Sequence, residues 1–407
     1  MDIDLRQMVM VLGDAVDLVG VDDTFHGKRV ALMAVSVAQH LCWNEVDQGV
    51  MLNAGLLHDC GVSTTQGHRA ITSTIDPEGN LAHCEKGAGI LARFAPLAYL
   101  APIVLHHHRH WQDFKALPVA PSTLRYANLL HLADRVDALA IPHHRSDSIL
   151  QHMDEIRGQI AQHRNTFFNP LFLDAFLEVS RTEAFWLCQS RDYLPLTLEG
   201  LVASRPALPM GFSELKQFAL TMAEIVDAKS PFTAQHSLGV ARLASCLANL
   251  AGLSSERIAL LEVAALLHDI GKLCIPDEIL EFPSQLSPED RSKMRRHSYA
   301  TYQILRRIHG FEEMALWAAA HHESMNSNGY PFHLGQKDLP VEARILKVAD
   351  VYQAMAQNRP YREPWPPDQI LVLLKQMQAN LEIDPDMVNL VAGNLECCHR
   401  AAIGDAA

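Results

Sequence analysis

Apolar positions along the chain recur at the spacing of helices. Residues 30–38 and 50–57 form long apolar runs of the kind that buried helices show. In the second half, positions three or four apart make one apolar helix face, consisting of Val240, Leu243, Leu247 and Leu250. Gly252 can end that helix, and strand-like alternation is scarce throughout. The sequence therefore predicts an all-α fold.

Two further helices have well-marked starts. Ser254 or Ser255 can cap a helix that runs to His268. Ser287 precedes a proline and two acidic residues, which favour the first turn of a helix. His297 then lies about two and a half turns into this helix. Candidate chemistry is therefore expected on helices and at their ends.

The same pattern of residues occurs twice. Each copy has a histidine 32 positions before a His-Asp pair, namely His26 before His58-Asp59 and His236 before His268-Asp269. Further correspondences follow with small length differences: His83 with His297, His106-His107 with His321-His322, and Asp134 with Asp350. Such a repeat indicates two copies of one helical domain.

Prolines and glycines interrupt helical periodicity between the two copies, at Pro195, Gly200, Pro206, Pro209 and Gly211. Residues of these types mark loops and linkers. We therefore expect an N-terminal domain over residues 1–193, a Pro-containing linker over residues 194–211, and a second domain over residues 212–407. A new helix is expected to start near Ser213.

Composition limits the partners of the chain. With 407 residues and 48% apolar side chains, the chain can bury two cores. A net charge of −13 argues against binding to duplex nucleic acid, and no apolar run has membrane-spanning length. An acidic start unlike a secretory leader, and eight cysteines without a CxxC motif, predict a cytoplasmic protein with reduced thiols. A homodimer is compatible with these features.

The second copy gathers groups that can hold metal ions. The candidate ligands are His236, His268, Asp269, His297, His321, His322 and Asp350. A His-Asp pair alone also fits a buried helix end, but this set exceeds the needs of one tetrahedral metal. It suits two octahedral ions that share the Asp269 carboxylate. Two such metals can promote hydrolysis of a phosphodiester, and Lys272 adds a positive charge beside the phosphoryl group.

The ordered motifs of this copy resemble those of the HD-GYP phosphodiesterases, a branch of the HD superfamily of metal-dependent phosphohydrolases. Besides the ligands, the resemblance rests on the run from His268 to Lys272, on His321-His322-Glu323 and on Gly329-Tyr330-Pro331. It spans residues 213 to 395. It implies two tandem helical HD-type domains and hydrolysis of a bacterial cyclic dinucleotide, usually cyclic di-GMP, to pGpG or GMP.

The resemblance also implies roles for individual residues. One metal would be held by His236, His268, Asp269 and Asp350, and the other by Asp269, His297, His321 and His322. Asp269 and Lys272 would be catalytic. Substrate contacts would come from Lys272, Gly329, Tyr330, Pro331, Arg359 and Arg362. Iron or manganese is expected, and nickel suits the same ligands.

Other roles are open for some of these residues. Tyr330 also fits a role in loop packing, and Arg359 and Arg362 fit surface ion pairs. Glu323 fits a carboxylate that braces the histidines.

The sequence departs from the family pattern in three places. Residues 324–327 replace an Arg-Trp-Asp-Gly run, Gln353 and Asn358 stand where acids are common, and Phe232 replaces a ligand for a third metal. The last departure predicts two metals. The altered loop makes 3'3'-cyclic GMP-AMP an alternative substrate, and a catalytically weak cyclic-dinucleotide receptor is the alternative from another class.

The first copy has its own candidate ligands, which are His26, His58, Asp59, His83, His106, His107 and Asp134. Val62 stands where Lys272 stands in the second copy, and the Gly-Tyr-Pro loop is absent. Metal binding without hydrolysis, a packed degenerate copy and a second active centre are the three alternatives. We expect this domain to be regulatory, through sensing, dimerisation or restraint of the second domain.

Overall fold

The computed structural model describes residues 3–20, 25–72, 75, 81–203, 207–229, 236–282, 284–358 and 362–404. These residues are mostly helical, which confirms the predicted all-α fold. The strands among them are two-residue segments, Ile3–Asp4 and Pro209–Met210, which pair with each other. The chain divides into two compact units: residues 4–209 form the N-terminal unit, and residues 210–407 with residues 1–3 form the C-terminal unit.

The N-terminal unit contains these α-helices: α1 Leu5–Asp17, α2 His26–His40, α3 Glu45–Leu57, α4 Thr65–Thr72, α5 Ala82–Ala92, α6 Ala101–His106, α7 Pro121–Arg145, α8 Ile149–Ala161, α9 Pro170–Val179, α10 Glu183–Leu187 and α11 Leu194–Ala203. Its 3₁₀ helices are Leu18–Gly20, Ala95–Leu100 and Trp111–Ala116.

The C-terminal unit contains these α-helices: α12 Phe212–Asp227, α13 His236–Leu250, α14 Ser255–Leu267, α15 Asp277–Leu280, α16 Pro288–Leu305, α17 Glu312–Ala319, α18 Val341–Ala356, α19 Pro367–Ala379, α20 Pro385–Gly393 and α21 Leu395–Ile403. Its 3₁₀ helices are Ile270–Cys274 and Ala320–His322.

Each unit is built around corresponding helices. In the C-terminal unit α13 packs on α14 and α18, and in the N-terminal unit α2 packs on α3 and α7. The apolar face predicted on α13 is buried at Val240, Leu243 and Leu247. Ser254 caps α14 and Ser287 caps α16, as the sequence predicts. Local capping and helical periodicity therefore agree with the packed fold.

The segment predicted as a linker contains a helix, α11, over much of its length. Pro195 lies in the first turn of α11, where a missing N–H interrupts no helical hydrogen bond. Leu194 and Leu198 are fully buried, so packing outweighs the low helix propensity of Gly200. The next helix begins at Phe212, one residue before the predicted start.

No helix in the described ranges is long and apolar enough to cross a membrane.

Candidate metal centre

Helix ends bring the predicted ligands of the C-terminal unit together. His236 begins α13, His268 and Asp269 directly follow α14, and Asp350 lies on α18. The remaining ligands lie on α16 and on the 3₁₀ helix after α17, and are His297, His321 and His322. Residues far apart in sequence therefore meet in one buried cluster.

The two oxygens of Asp269 face different histidines. Asp269 Oδ1 lies 3.7 Å from His297 Nε2 and 3.8 Å from His321 Nε2. Asp269 Oδ2 lies 3.2 Å from His268 Nε2. A carboxylate placed in this way can bridge two metal ions.

The other ligands form two groups whose ligand atoms lie within 4.8 Å of one another. One group is His236, His268 and Asp350, and the other is His297, His321 and His322. In the first, Asp350 Oδ1 is 3.1 Å from His236 Nε2. Each group contains the residues that one of the two predicted ligand sets has besides Asp269, and metal binding by these sets stays a prediction.

Backbone carbonyls fix the orientation of the imidazoles. The Nδ1 atoms of His268, His297 and His321 lie 2.6–2.7 Å from the carbonyl oxygen three residues earlier in the chain. A carbonyl can only accept, so each Nδ1 must donate its hydrogen. Neutral rings in this tautomer direct the Nε2 lone pair at the cluster, which is the form that binds metal.

Burial favours the neutral form of two of these ligands. It lowers the pKa of His297 to about 4 and that of His321 to about 3. Burial alone would raise the pKa of Asp269, but the charges of His268 and Lys272 outweigh it and hold the pKa well below its usual range. The neutral imidazoles of His297 and His321 beside the ionised carboxylate of Asp269 are ligands suited to divalent cations.

Some buried polar atoms in the cluster have no hydrogen-bond partner among the described residues. They include His268 Nε2 and Asp269 Oδ1. Buried polar atoms are normally satisfied, because an unsatisfied one costs about 1–3 kcal/mol. A metal ion between these atoms would satisfy them, so the residues fit the metals that the sequence implies.

Gly271 lets the loop after α14 pass directly against α16. A Cβ atom at this position would lie 2.0 Å from the carbonyl oxygen of His297. Its N–H donates to Thr301 Oγ1, and that hydroxyl donates to the carbonyl of His268, each at 3.0 Å. Lys272 follows and donates to Asp269 Oδ2. The loop therefore holds Asp269, His268 and His297 in one arrangement.

The Gly-Tyr-Pro loop covers one side of the cluster. The ring of Tyr330 stacks on His322 with centroids 4.8 Å apart. Glu323 accepts hydrogen bonds from the N–H groups of Phe332 and Leu334, at 2.6 Å and 3.0 Å. The carboxylate of Glu323 thus braces this loop, and not the histidine rings as the sequence suggested.

The arginine that was predicted to contact the substrate and that the structure describes, Arg362, has its guanidinium in contact with the protein itself. The Arg362 guanidinium donates to Ala354 O and Met355 Sδ and lies near the Trp365 ring, so it is used in packing against α18. Arg359 and Phe232 lie outside the described residues. A different cation, Arg295, lies over the Tyr330 ring, 5.1 Å from its centroid. Sequence reasoning missed it, although it stands two positions before His297.

The N-terminal unit contains a second cluster of the same kind. His26 Nε2 lies 3.6 Å from Asp59 Oδ2 and 3.3 Å from Asp134 Oδ1. His58 Nε2 is 3.5 Å from Asp59 Oδ2, and His83 Nε2 is 3.6 Å from Asp59 Oδ1. Asp59 therefore occupies the position in this unit that Asp269 occupies in the other.

The adjacent histidine pair of this cluster is His107-His108, and the predicted pair His106-His107 was wrong by one residue. Nδ1 of His107 bonds to the carbonyl of Val104, three residues earlier, as His321 bonds to Ala318. His108 Nδ1 lies 3.7 Å from Asp134 Oδ2, whereas His106 is the last residue of α6 and is half-exposed. The helix end sets which two of three consecutive histidines enter the cluster.

The first histidine of each cluster has different support. In the N-terminal unit, His26 Nδ1 lies 2.8 Å from Asp137 Oδ2, and Asp137 also pairs with Arg29. The equivalent position in the C-terminal unit is Gln353, three residues after Asp350. Within the described residues His236 Nδ1 has no hydrogen-bond partner. A carboxylate behind a ligand histidine strengthens metal binding, so this support favours the N-terminal cluster.

Comparisons with known proteins extend over both units. Models of the HD domain match residues 25–139 and residues 220–387. The chain is 31% identical to the 3'3'-cGAMP-specific phosphodiesterase 1 of Vibrio cholerae, over 99% of this chain and 95% of that protein. It is 35% identical to the cyclic di-GMP phosphodiesterase response regulator RpfG of Xanthomonas campestris pv. campestris, over 41% of this chain and 45% of that protein.

A solved structure has the same fold. The crystal structure of the cyclic GMP-AMP specific phosphodiesterase V-cGAP3 of Vibrio cholerae aligns with a TM-score of 0.68. The alignment covers 97% of this chain and 98% of that one, at 22% identity. With an HD domain in each unit and a relative that matches almost its whole length, the chain belongs to the HD-GYP family of HD-domain proteins.

Proposed function

We propose that this protein hydrolyses a cyclic dinucleotide at a two-metal centre in its C-terminal unit. The observation that carries the proposal is the position of Asp269, whose two oxygens face separate histidine groups. This arrangement is the one that two-metal phosphodiester hydrolysis requires. The relatives named above are phosphodiesterases of cyclic dinucleotides, which supports the same reaction.

Each part of the site has a defined task in this proposal. Two divalent ions, iron or manganese, would polarise the phosphoryl group and activate water when bound. His236, His268 and Asp350 would hold one ion, His297, His321 and His322 the other, and Asp269 both. Lys272 would stabilise negative charge on the phosphoryl oxygens, and Tyr330 would form the wall of the substrate site beside His322.

The substrate is either 3'3'-cyclic GMP-AMP or cyclic di-GMP. The relative that matches both units is specific for 3'3'-cGAMP, and the loop over residues 324–328 departs from the pattern expected of the family. Both observations favour cyclic GMP-AMP. Relatives that match less than half of the chain include cyclic di-GMP phosphodiesterases, so cyclic di-GMP is the second candidate.

A product assay tests the proposed activity. The full chain, loaded with manganese or iron, is incubated with each cyclic dinucleotide, and linear products are separated by chromatography. We expect linear dinucleotide or mononucleotide from the wild type and none from Asp269→Ala. Binding of the nucleotide without turnover would instead support the receptor, and equal rates for both proteins would refute the two-metal centre.

We also propose that the N-terminal unit binds metal without hydrolysing the substrate and has a regulatory role. Buried atoms of its cluster, among them His26 Nε2, His58 Nε2 and both oxygens of Asp59, have no hydrogen-bond partner among the described residues. Metal ions would satisfy them. Val62 at the position of Lys272 leaves no cation there to stabilise a phosphoryl group.

Matched variants separate the two clusters by metal content. Asp59→Asn removes the shared carboxylate of the N-terminal cluster, and Asp269→Asn removes its counterpart. Each variant should retain fewer metal ions per chain than the wild type, and the double variant should retain fewest. Equal metal content in Asp59→Asn and the wild type would refute metal binding by the N-terminal unit.

Two broader predictions complete the proposal. All eight cysteines are free thiols, which suits a reducing compartment, and we propose the cytoplasm. A homodimer stays a prediction.

A further inference from the structure

Two arginines of α16 lie on one side of the helix and line a depression beside the metal centre. Arg291 and Arg295 are four positions apart, so their side chains are neighbours. The depression has a volume of about 410 Å³ and is otherwise lined by Gln285, Leu286, Pro288 and Ser292. This volume is in the range of small-molecule sites.

A chain of ring contacts connects the depression with the metal ligands. The Arg295 guanidinium lies 5.1 Å from the centroid of the Tyr330 ring. Tyr330 in turn stacks on His322, a predicted metal ligand. A molecule held at the metals and extending past Tyr330 would therefore meet Arg295.

Neither guanidinium is used in an ion pair with the described part of the chain. Lys293, between them in sequence, pairs with Glu289 at 2.9 Å and with Asp290 at 3.5 Å. Lys272 donates to Asp269, and Arg362 donates to the backbone. Arg291 and Arg295 are thus cations whose charge is available to a ligand on this side of the centre.

A cyclic dinucleotide needs such a partner. It carries two phosphodiester groups, of which only one can be at the metals at a time. The chain has a net charge of −13, so the second phosphate requires a local positive site. A guanidinium can donate two parallel hydrogen bonds to phosphate oxygens.

We propose that Arg291 and Arg295 form the binding site for the second phosphate of the cyclic dinucleotide. This inference rests on the proposed function. It identifies the residues that would distinguish a cyclic dinucleotide from a simple phosphodiester, which has one phosphate and needs only the metals and Lys272.

The test compares two substrates on the full, manganese-loaded chain. One substrate is the cyclic dinucleotide that the wild type hydrolyses, and the other is bis(4-nitrophenyl) phosphate, which has a single phosphodiester. Steady-state constants are measured for the wild type, Arg291→Gln, Arg295→Gln and the control Lys293→Gln. The control removes a neighbouring charge that is already paired with two carboxylates.

We expect each arginine variant to raise KM for the cyclic dinucleotide by about tenfold, since a charge-assisted hydrogen bond is lost. The ratio of kcat/KM for the cyclic dinucleotide to that for bis(4-nitrophenyl) phosphate should fall by a similar factor. Lys293→Gln should change neither value. Arg295→Lys, which retains the charge, should recover part of the loss.

Three results would overturn the inference. They are an unchanged KM in both arginine variants, an equal loss on both substrates, or the same loss in Lys293→Gln. An equal loss would mean that Arg295 only supports the Tyr330 ring. If the wild type hydrolyses bis(4-nitrophenyl) phosphate but neither cyclic dinucleotide, the proposed function itself fails, which is a distinct outcome.

Discussion

Replacing Gly271 by alanine should separate the metal ligands of the C-terminal unit. The new Cβ would lie 2.0 Å from the carbonyl oxygen of His297 and 2.8 Å from the backbone N of Thr301. Both are backbone atoms of α16, so no side chain can rotate away. The first distance must widen by about 1.4 Å to reach 3.4 Å, where ordinary contact begins.

The loss in the free energy of unfolding can be estimated from the contacts that this movement disrupts. Overpacking costs about 1–3 kcal/mol, and the two hydrogen bonds of Thr301 contribute about 1 kcal/mol each. We therefore expect the free energy of unfolding of this unit to fall by roughly 3–5 kcal/mol. Asp269 and His297 lie on opposite sides of the contact, and metal–ligand distances tolerate only about 0.2 Å. Metal binding should fail before the fold does.

The assay measures metal ions per chain after reconstitution and dialysis, together with thermal unfolding by circular dichroism. Gly271→Ala should lose metal from the C-terminal unit and lower the unfolding midpoint by roughly 6–20 °C. Gly393→Ala is the matched control, because a Cβ there has no atom within 4 Å. If Gly271→Ala retains the metal content and unfolding midpoint of the wild type, the close contact with α16 is not what holds the ligands.

Three further changes test other parts of the unit. Lys272→Met should lower kcat about 100-fold or more at unchanged metal content, because charge on the phosphoryl group loses its partner; loss of metal in step with kcat would contradict this. Trp317 is 1% exposed, so Trp317→Ala should lower the free energy of unfolding in urea by about 3–5 kcal/mol. A change smaller than about 1 kcal/mol would show that neighbouring side chains fill the space that the indole leaves. Burial lowers the pKa of Lys347 from 10.5 to about 8, so the unfolded chain binds more protons between these pH values and wild-type stability should rise across that range. In Lys347→Met this rise should be smaller, and identical pH profiles of urea unfolding for the two proteins would argue against the shift.

The sequence predicted the helices of the C-terminal unit well, and it identified residues that lie together in one cluster there, for physical reasons. Helical spacing of apolar residues and hydroxyl caps at Ser254 and Ser287 are local signals, and packing did not override them. Because a histidine precedes the His-Asp pair by the same number of residues in both copies, the sequence indicated that the two copies have the same fold. The members of the cluster and the duplication of the domain can therefore be predicted from the sequence alone.

Other features depended on contacts that no local pattern contains. Three consecutive histidines do not show by themselves which two of them enter the cluster. The hydrogen bond from His107 Nδ1 to the carbonyl of Val104 selects this pair, and it is visible only in the structure. An arginine in a loop can face a ligand or a backbone carbonyl, and Arg362 does the latter. Arg295 is a candidate for binding substrate because its guanidinium lies over the Tyr330 ring, a contact that the sequence does not show. In the segment predicted as a linker, the burial of Leu194 and Leu198 stabilises a helix that the prolines and glycines did not indicate.

Every candidate ligand of a cluster comes from the unit that contains the cluster. A substitution that alters one set therefore leaves the other set whole, and the two halves can diverge independently under selection. Divergence has already reached the residue behind the first histidine, which is Asp137 in one half and Gln353 in the other. The residue behind the first histidine of one cluster can thus change while the candidate ligands of the other cluster stay the same.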